Sequence, residues 1–342
     1  MKKKILITGG AGFIGSNYAR RRIIIGDEVT IFDNLSRNGA KENLKWISAS
    51  VKKTPFRFIE GDVQDLNKLK ECVADIDVIV HLAAQVAVTS SVENPHFDFR
   101  VNAGGTFNVL EAARLYGKKP IIIYASTNKV YGEIQDTGVV EGNSRYAFSN
   151  LPNGISEKQP LDFHSPYGCS KGCGDQYVRD YSRIFDIPTV VFRQSCIYGT
   201  RQFGIEDQGW VAWFVIAAVM GKQISIYGNG KQVRDLLNIE DLLNAYDLAI
   251  EKIAIAKGQI LNVGGGIDNS ISIWKEFQPI LEKIHGKQIP VELKEWRPGD
   301  QKIFITDNSK IQKMLGWVPK IGVEKGIAEL YQWVVENKEL FA

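Results

Sequence analysis

The chain has 342 residues, of which 44% are hydrophobic and 24% are charged, with a formal net charge of +3. This composition is typical of a folded globular protein with a sizeable core, and it excludes a disordered chain. A net charge this small argues against a nucleic-acid-binding protein. Neither a signal peptide nor an apolar run of the roughly 20 residues needed to span a membrane is visible, so we expect a cytoplasmic protein without a membrane partner.

The first element is a short apolar strand, Ile5 to Thr8, followed by three glycines and a helical pattern. In such a strand–turn–helix unit, Gly9 allows the tight turn, Gly12 lets a pyrophosphate approach the backbone, and Gly15 lets the helix pack close to the strand. The helix N-terminus offers free N–H groups to phosphates. This stretch therefore predicts a dinucleotide site whose contacts include Gly9, Gly12, Phe13, Ile14 and Gly15.

A second strand, Glu28 to Phe32, ends at Asp33. A carboxylate at this distance from the glycines accepts hydrogen bonds from the adenosine ribose and repels the extra phosphate of NADP, which favours NAD. Two alternatives stay open: Arg37 could accept that phosphate, and Asp33 could simply form the turn after its strand. We expect the adenosine side of the site to include Asp33, Asn34, Ser36, Arg37, Asp62 and Val63, with Asp62 placed to meet the adenine amino group.

Strands and helices continue to alternate to about residue 190. Asp77 to Ala84 predicts a strand that is apolar throughout, as in a parallel sheet covered on both faces, and Ile121 to Ala125 predicts another. Pro95 to Tyr116 predicts one long helix. This alternation of strands and helices along the chain predicts a doubly wound parallel Rossmann-type α/β sheet with a smaller, interleaved substrate-binding lobe. The residues expected beside the cofactor in this part of the chain are Leu82, Ala83, Ala84, Gln85, Asn102 and Ser126.

The domain boundaries follow from the same pattern. We expect residues 1–192 and 234–264 to form the NAD-binding domain, and residues 193–233 and 265–342 to form the nucleotide-sugar lobe. The four cysteines show no paired spacing typical of a zinc site, so no metal site is expected.

The candidate chemistry lies in the stretch Tyr167-Gly168-Cys169-Ser170-Lys171. On a helix, Tyr167 and Lys171 are four residues apart and share a face. An ammonium group beside a phenol favours the phenolate, so we expect Tyr167 to act as a base near neutral pH. Thr127, at the end of the preceding strand, supplies a hydroxyl for the same substrate oxygen. An ordinary surface pair is the alternative, and the upstream glycine turn and Asp33 make it the weaker one.

Together these motifs resemble the extended short-chain dehydrogenase/reductases of the nucleotide-sugar type. The resemblance covers nearly the whole chain, through TGGAGFIG, FDNLSR, HLAAQVA, STNKVYG, HSPYGCSK and GNGKQVRD. The segments STNKVYG, LDFHSPYGCSKG and RQF…DQGW are more specific, and they are similar to the 2-epimerases that act on CDP-linked dideoxy sugars. The resemblance implies that Thr127, Tyr167 and Lys171 carry catalysis, that NAD is held tightly, and that a nucleotide-diphosphate sugar is the substrate.

The second half of the chain contains the expected substrate contacts. Arg234 follows a glycine turn and can form a forked pair with a diphosphate, although an ion pair with Asp235 or Asp241 is the alternative. Arg297 resembles a second diphosphate or ribose contact. The full set of expected substrate residues is Thr89, Asn128, Gln194, Arg201, Gln202, Gln208, Trp210, Gln232, Arg234, Arg297 and Asp300.

Three other functions were weighed. A UDP-sugar 4-epimerase uses the same chemistry at another carbon and stays open. A 4,6-dehydratase needs a carboxylic acid beside the catalytic threonine, where this chain has Asn128 and Lys129, so we set it aside. A non-catalytic NAD sensor predicts loss of Tyr167 or Lys171, and both are present. The helices from Pro95 and Tyr167 resemble those that pair subunits in this family, which implies a homodimer or homotetramer.

Overall fold

The computed structural model describes residues 2–51, 54–134, 137–297 and 301–342. Its strands, in chain order, are Lys4–Thr8 (β1), Glu28–Asp33 (β2), Arg57–Glu60 (β3), Val78–His81 (β4), Ile121–Thr127 (β5), Val139–Glu141 (β6), Tyr146–Phe148 (β7), Thr189–Gln194 (β8), Cys196–Tyr198 (β9), Ile224–Tyr227 (β10), Val233–Asn238 (β11), Gln259–Val263 (β12), Ser270–Ser272 (β13), Val291–Lys294 (β14) and Ile303–Phe304 (β15).

The helices are Phe13–Ile25 (α1), Ala40–Ser50 (α2), Leu66–Cys72 (α3), Val88–Glu93 (α4), Pro95–Phe99 (α5), Gly105–Tyr116 (α6), Ser165–Phe185 (α7), Trp210–Met220 (α8), Ile239–Glu251 (α9), Ile253–Ala256 (α10), Phe277–His285 (α11), Ser309–Leu315 (α12) and Val323–Glu336 (α13). A π-helical turn, Arg100–Gly104, joins α5 to α6, and two 3₁₀ turns cover Asn128–Tyr131 and Lys338–Leu340.

The first compact unit comprises Met1–Thr127, Ser165–Arg193 and Tyr246–Leu261. It carries the seven-stranded parallel sheet, in the order β12-β8-β5-β4-β1-β2-β3. Ile5 pairs with Val29 of β2 on one side and with Val78 of β4 on the other. The strand order therefore reverses between β1 and β4, which is where ligands bind in open α/β sheets. The predicted doubly wound parallel fold is confirmed.

Two elements of the first unit differ from the sequence expectation. The strand expected over Asp77 to Ala84 ends at His81, because its partner β1 ends opposite at Thr8 and the chain turns away at Gly9. The helix expected over Pro95 to Tyr116 is not α-helical throughout, since the π turn Arg100–Gly104 interrupts it. A π turn accommodates one extra residue in a helix, and no simple periodicity in the sequence marks it.

The second compact unit comprises Asn128–His164, Gln194–Ala245 and Asn262–Ala342. Strand β11 organises it, because it pairs with β9, β13 and β15, while β10 pairs with β14 and β6 with β7. Helix α8 spans the apolar segment Trp210–Met220, and seven of its eleven residues are buried. Its side chains are apolar all round, so it packs into a core formed with α11 and α13.

The two compact units differ from the division expected from the sequence. Residues 128–164 and 234–245 belong to the second unit, whereas the sequence placed them in the first. Residues 234–245 belong to the second unit because β11 pairs with β9, β13 and β15. For the first segment, the Tyr146 N–H donates to the Lys231 carbonyl at 3.1 Å, which ties β7 to the stretch before β11. Within the described ranges, no helix is long and apolar enough to cross a membrane.

Candidate active site

The turn between β1 and α1 depends on its glycines. Gly9 has φ +69°, and a Cβ there would lie 2.6 Å from the Ala83 amide nitrogen, so only glycine fits between the two strand ends. Gly12 precedes α1 in an extended conformation and provides no side-chain cap to the helix. The first N–H groups of α1 therefore point towards an anion site with no competing side chain from the cap. This geometry fits a pyrophosphate.

Asp33, at the end of β2, supports that turn directly. Its Oδ2 accepts a hydrogen bond from the Ala11 N–H at 2.9 Å, and its Oδ1 accepts one from the Leu35 N–H at 2.8 Å. Burial raises the pKa of Asp33, and the backbone donors oppose that shift. Each carboxylate oxygen can accept a further bond, so the residue can still meet a ribose hydroxyl. Its role as a turn former and its role as a ribose acid are therefore compatible.

The other adenosine-side residues lie in the same unit. Asn34 donates from Nδ2 to Asp62 Oδ2 at 2.9 Å, and the Ser36 hydroxyl donates to Asn34 Oδ1 at 2.7 Å. Arg37 is exposed, and Val63 is buried beneath Gly105. The chain from β2 to β3 thus forms a small polar network beside the Asp33 carboxylate.

The chain after β4 is held by Asn102. Its Oδ1 accepts from the Gln85 N–H at 2.9 Å, and its Nδ2 donates to the Gln85 carbonyl at 3.0 Å. Leu82 donates its N–H to the Thr8 carbonyl at 3.0 Å, which leaves Ala83 and Ala84 directly after the strand end. Two small side chains there leave room beside the turn that Gly9 makes. Thr89, on α4, has a buried hydroxyl without a hydrogen-bond partner among the described residues.

Thr127, Tyr167 and Lys171 meet where β5 faces α7. The Tyr167 hydroxyl is hydrogen-bonded to Thr127. Ser165 accepts from the Gly168 N–H at 3.2 Å and is followed by proline, which fixes the first turn of α7. Tyr167 is half-buried on that turn, and Lys171 is 4% exposed one turn later. The three side chains expected to carry the chemistry are therefore brought together.

The protonation behaviour of Tyr167 and Lys171 differs from the sequence expectation. Burial raises the pKa of Tyr167 to about 12, while the Thr127 hydrogen bond lowers it and the Asp98 charge raises it. Burial lowers the pKa of Lys171 to about 7, against Asp175 and Asp98, which both raise it. Removal from water thus dominates both groups, and the Lys171 ammonium, which was expected to lower the pKa of the phenol, is not among the groups that shift it.

Ser126, beside Thr127, is linked to a buried ion pair. Its hydroxyl donates to Asp175 Oδ2 at 2.8 Å, and the Arg193 guanidinium donates to both Asp175 oxygens at 2.9 Å. Asp175 is completely buried and Arg193 is 4% exposed. This pair fixes α7 against β5 and β8. Neither residue was expected from the sequence, although Asp175 lies one helical turn beyond Lys171 on the same face.

In the second unit, two expected substrate residues meet at Tyr227. Arg297 lies 3.8 Å from the centre of the Tyr227 ring and donates to Asp207 Oδ1 at 2.9 Å. Gln232 donates from Nε2 to the Tyr227 carbonyl at 2.6 Å, and its Oε1 is buried with no partner in the described part of the chain. Neither Tyr227, the last residue of β10, nor Asp207 was expected from the sequence, because a single aromatic and a single acidic residue carry no distinctive spacing.

The remaining expected substrate residues lie at separate points of the second unit. Gln202 donates to the Ile197 carbonyl at 3.3 Å, and Trp210 Nε1 donates to Cys196 Sγ at 3.3 Å. The Arg234 side chain donates to the Val233 carbonyl at 2.8 Å. Arg201 lies over Trp333, whereas Gln194 ends β8, Gln208 precedes α8 and Asn128 begins a 3₁₀ turn. Asp300 lies outside the described residues.

The two carboxylates that could form a structural ion pair with Arg234 both accept hydrogen bonds from backbone N–H groups. Asp241 Oδ2 accepts from the Lys320 and Ile321 N–H groups, each at 2.9 Å, and Asp235 Oδ2 accepts from the Gly266 N–H at 3.1 Å. Both alternatives for Arg234, a diphosphate contact and a structural ion pair, therefore stay open.

A family model described as GDP-mannose 4,6 dehydratase matches residues 6–330. The chain belongs to this family. It is 44% identical over 337 residues to the CDP-paratose 2-epimerase of Salmonella typhi, which covers 96% of this chain and 98% of the relative. The predicted resemblance to nucleotide-sugar short-chain dehydrogenase/reductases is confirmed, as is the prediction of an enzyme related to the epimerases.

Two solved members of the family have the same fold. The UDP-glucose 4-epimerase of Thermotoga maritima, determined with UDP-glucose, is 29% identical, with a TM-score of 0.83 over 98% of this chain and 99% of that one. The dTDP-glucose 4,6-dehydratase of Streptomyces venezuelae, determined with NAD, is 27% identical, with a TM-score of 0.82 and 98% of both chains covered. The family thus contains both epimerases and dehydratases.

Proposed function

We propose that this protein is an NAD-dependent nucleotide-sugar epimerase that converts CDP-paratose to CDP-tyvelose by inverting C2. The observation that carries the epimerase chemistry is the contact between Thr127 and Tyr167, with Lys171 one turn away on α7. The choice of C2 and of a CDP sugar rests on the 44% identity to the Salmonella typhi enzyme over nearly the full length of both chains.

The first unit is proposed to bind NAD. The N-terminus of α1 would hold the pyrophosphate, and Asp33 would accept from the adenosine ribose hydroxyls and disfavour NADP. Asp62 would meet the adenine, and the small residues Ala83 and Ala84 would leave space for the cofactor after β4. NAD held there would supply reversible hydride transfer at the sugar carbon, which would give no net redox change.

The proposed proton chemistry belongs to Tyr167. It takes the proton of the sugar hydroxyl as that carbon is oxidised, and returns it when the keto-sugar is reduced on its other face. Thr127 orients the hydroxyl. Burial raises the pKa of Tyr167 to about 12, so the phenolate needs a stabilising charge near neutral pH, and Lys171, on the same face of α7, is the cation proposed to supply it when substrate and cofactor are bound. Lys171 would also hold the nicotinamide ribose.

The second unit is proposed to bind the nucleotide sugar. Arg234 and Arg297 would pair with the diphosphate, because an arginine fork matches phosphate oxygens. The buried acceptor oxygens of Gln202 and Gln232 would fix the rest of the substrate, with Trp210 as a further contact. We also propose a cytoplasmic homodimer or homotetramer. Exposed apolar side chains on the helices from Pro95 and Tyr167 support subunit pairing, notably Phe99, Phe107 and Ile184.

A second candidate is a UDP-glucose 4-epimerase. The observation that favours it is the fold similarity to the Thermotoga maritima enzyme, which was determined with UDP-glucose. The deciding experiment incubates the purified protein separately with CDP-paratose, CDP-tyvelose and UDP-glucose and follows the sugar protons by NMR. We expect inversion at C2 of the CDP sugars in both directions. Turnover of UDP-glucose alone would assign the protein to the second candidate.

A second measurement tests transient oxidation. The CDP-paratose reaction is run in deuterated water, and C2 of the product is examined for deuterium. A returned hydride predicts almost no label at C2, and substrate deuterated at C2 should retain its label. Incorporation of solvent deuterium at the rate of turnover would show proton removal from carbon instead. Accumulation of a 4-keto-6-deoxy sugar would indicate the dehydratase reaction, which Asn128 and Lys129 argue against.

A further inference from the structure

The carboxylate of Asp98, on α5, is a buried charge to which the proposed mechanism gives no role. Asp98 is completely buried. Its Oδ1 accepts from Asn102 Nδ2 at 3.0 Å, while its Oδ2 is buried without a well-formed hydrogen bond among residues 2–51, 54–134, 137–297 and 301–342. The nearby Ser170 hydroxyl also favours the ionised form and lowers the pKa of Asp98. An ionised carboxylate removed from water costs several kcal/mol unless a cation compensates it. A nearby positive charge is therefore expected.

Lys171 provides that charge. Helix α5 packs against α7, and the Asn102 Nδ2 that donates to Asp98 also donates at 3.1 Å to the Oγ of Ser170, the chain neighbour of Lys171. Burial raises the pKa of Asp98, whereas the Ser170 hydroxyl and the Lys171 charge lower it, and Asp98 in turn raises the pKa of Lys171. Asp175 also raises the pKa of Lys171, and its effect is larger than that of Asp98. However, Asp175 is bound through both oxygens to Arg193 at 2.9 Å, so its negative charge already has a positive partner. The charge of Asp98 is not shared in this way.

The other titratable groups facing Lys171 are neutral near pH 7. The Lys171 amine lies 4.3 Å from the centre of the Tyr124 ring on β5, and burial raises the pKa of Tyr124 well above its usual value. His81, on β4, has its pKa lowered to about 3 by burial and by the Lys171 charge. Tyr167, on α7 itself, is a phenol with a raised pKa. In the part of the chain that the structure describes, Asp175 and Asp98 are therefore the negative charges that act on Lys171.

We propose that Asp98 is the counter-ion of Lys171, a positioning residue whose buried carboxylate keeps the amine in its ammonium form. Only the kinetic consequence of this inference rests on the proposed function. Asn102 contributes by holding Oδ1 of Asp98, which leaves Oδ2 for the electrostatic interaction. The sequence offers one signal for this role: Asp98 precedes Asn102 by one helical turn, in a stretch otherwise rich in apolar residues.

The direct test measures the titration of Lys171 itself. Protein labelled with ¹³C at lysine Cε is titrated by NMR, and the Lys171 signal is identified as the one missing from Lys171→Met. The Asp98→Asn variant keeps the shape and an acceptor for Asn102 but removes the charge. We expect the Lys171 midpoint to fall by about one pH unit, because an opposite charge nearby stabilises an ammonium group.

Two further variants make the result specific. Asp98→Ser removes the charge with a smaller side chain and is measured in parallel, with folding of each variant checked by circular dichroism. Asp27→Asn removes another buried carboxylate of the first unit, one that pairs with Arg22, and should leave the Lys171 midpoint unchanged. An unchanged midpoint in a folded Asp98 variant, or an equal shift in Asp27→Asn, would overturn the proposal.

Turnover provides a second readout. Removing a negative charge lowers the pKa of both Tyr167 and Lys171, so both limbs of the pH–rate profile of Asp98→Asn should move to lower pH. A loss of packing alone would lower kcat without moving the limbs, and that result would contradict the counter-ion role. If the NMR midpoint shifts but the wild-type protein does not turn over any CDP sugar, the counter-ion assignment stands and the proposed function fails.

Discussion

The residues proposed for cofactor and proton chemistry and those proposed for the substrate lie on different kinds of backbone. In the first unit, Asp33 and Thr127 end parallel strands, and Tyr167 and Lys171 lie one turn apart on a 21-residue helix. In the second unit, Arg297 lies in a loop and is held by side chains distant in sequence. Regular elements fix the direction of a side chain through their own hydrogen bonds, whereas a loop side chain depends on its tertiary neighbours.

The largest expected effect belongs to the first region. Tyr167→Phe removes the phenolic oxygen that exchanges the proton and leaves the rest of the side chain, so the fold and the bound cofactor should persist. We expect kcat to fall by roughly 10²- to 10⁴-fold, the usual contribution of a positioned acid or base, with little change in KM. The measurement is steady-state epimerisation together with NAD content after denaturation. Near-normal turnover would remove Tyr167 from the mechanism.

The second region should respond through binding. Arg234→Met keeps much of the side-chain length but removes the charged donors, which contribute about 1.5–3 kcal/mol to a charge-assisted interaction. KM for the nucleotide sugar should rise by about 10- to 100-fold, while kcat changes less. The matched control is Arg145→Met, because Arg145 pairs with Glu276 at 2.7 Å and is not placed in the site. If kcat fell as much in Arg234→Met as in Tyr167→Phe, the contrast between the two regions would be wrong.

The smallest effect concerns the sheet beneath the site. His81 is buried between Thr8 and Thr106, whose hydroxyls lie 2.6 and 3.0 Å from its ring nitrogens, and its pKa is lowered to about 3. A lowered folded-state pKa means that stability is fully present above the unfolded value of about 6.5 and is lost as pH falls towards 3.

The expected loss from His81 has a slope of at most about 1.4 kcal/mol per pH unit. Urea unfolding of the wild-type protein and of His81→Gln between pH 7 and pH 4 measures it. The wild type should lose more stability than the variant, whereas a change at the exposed His96, His96→Gln, should retain the wild-type acid sensitivity. Equal acid dependence in all three proteins would exclude His81 as the source.

The same contrast explains how much the sequence could predict. Thr127 and Tyr167 were identifiable because a strand end and a four-residue helical spacing place them by local rules. Arg297 was identifiable as a residue type only. Its position is set by the ring of Tyr227 and by Asp207, which is 90 residues away in sequence. The dominant effect of burial on the pKa of Tyr167 could not be predicted from the sequence, because desolvation depends on the packed surroundings.

The π turn Arg100–Gly104 makes the spacing between Asp98 and α6 sensitive to chain length. Such a turn contains one residue more than the α-helix that would replace it, and each residue of an α-helix advances the face by about 100°. Deleting a single residue within the turn would therefore rotate α5 by about that angle relative to α6. Asp98 would then face a different direction relative to α6. A chimera in which this helix comes from a relative must keep the extra residue of the π turn, even where every functional side chain is copied.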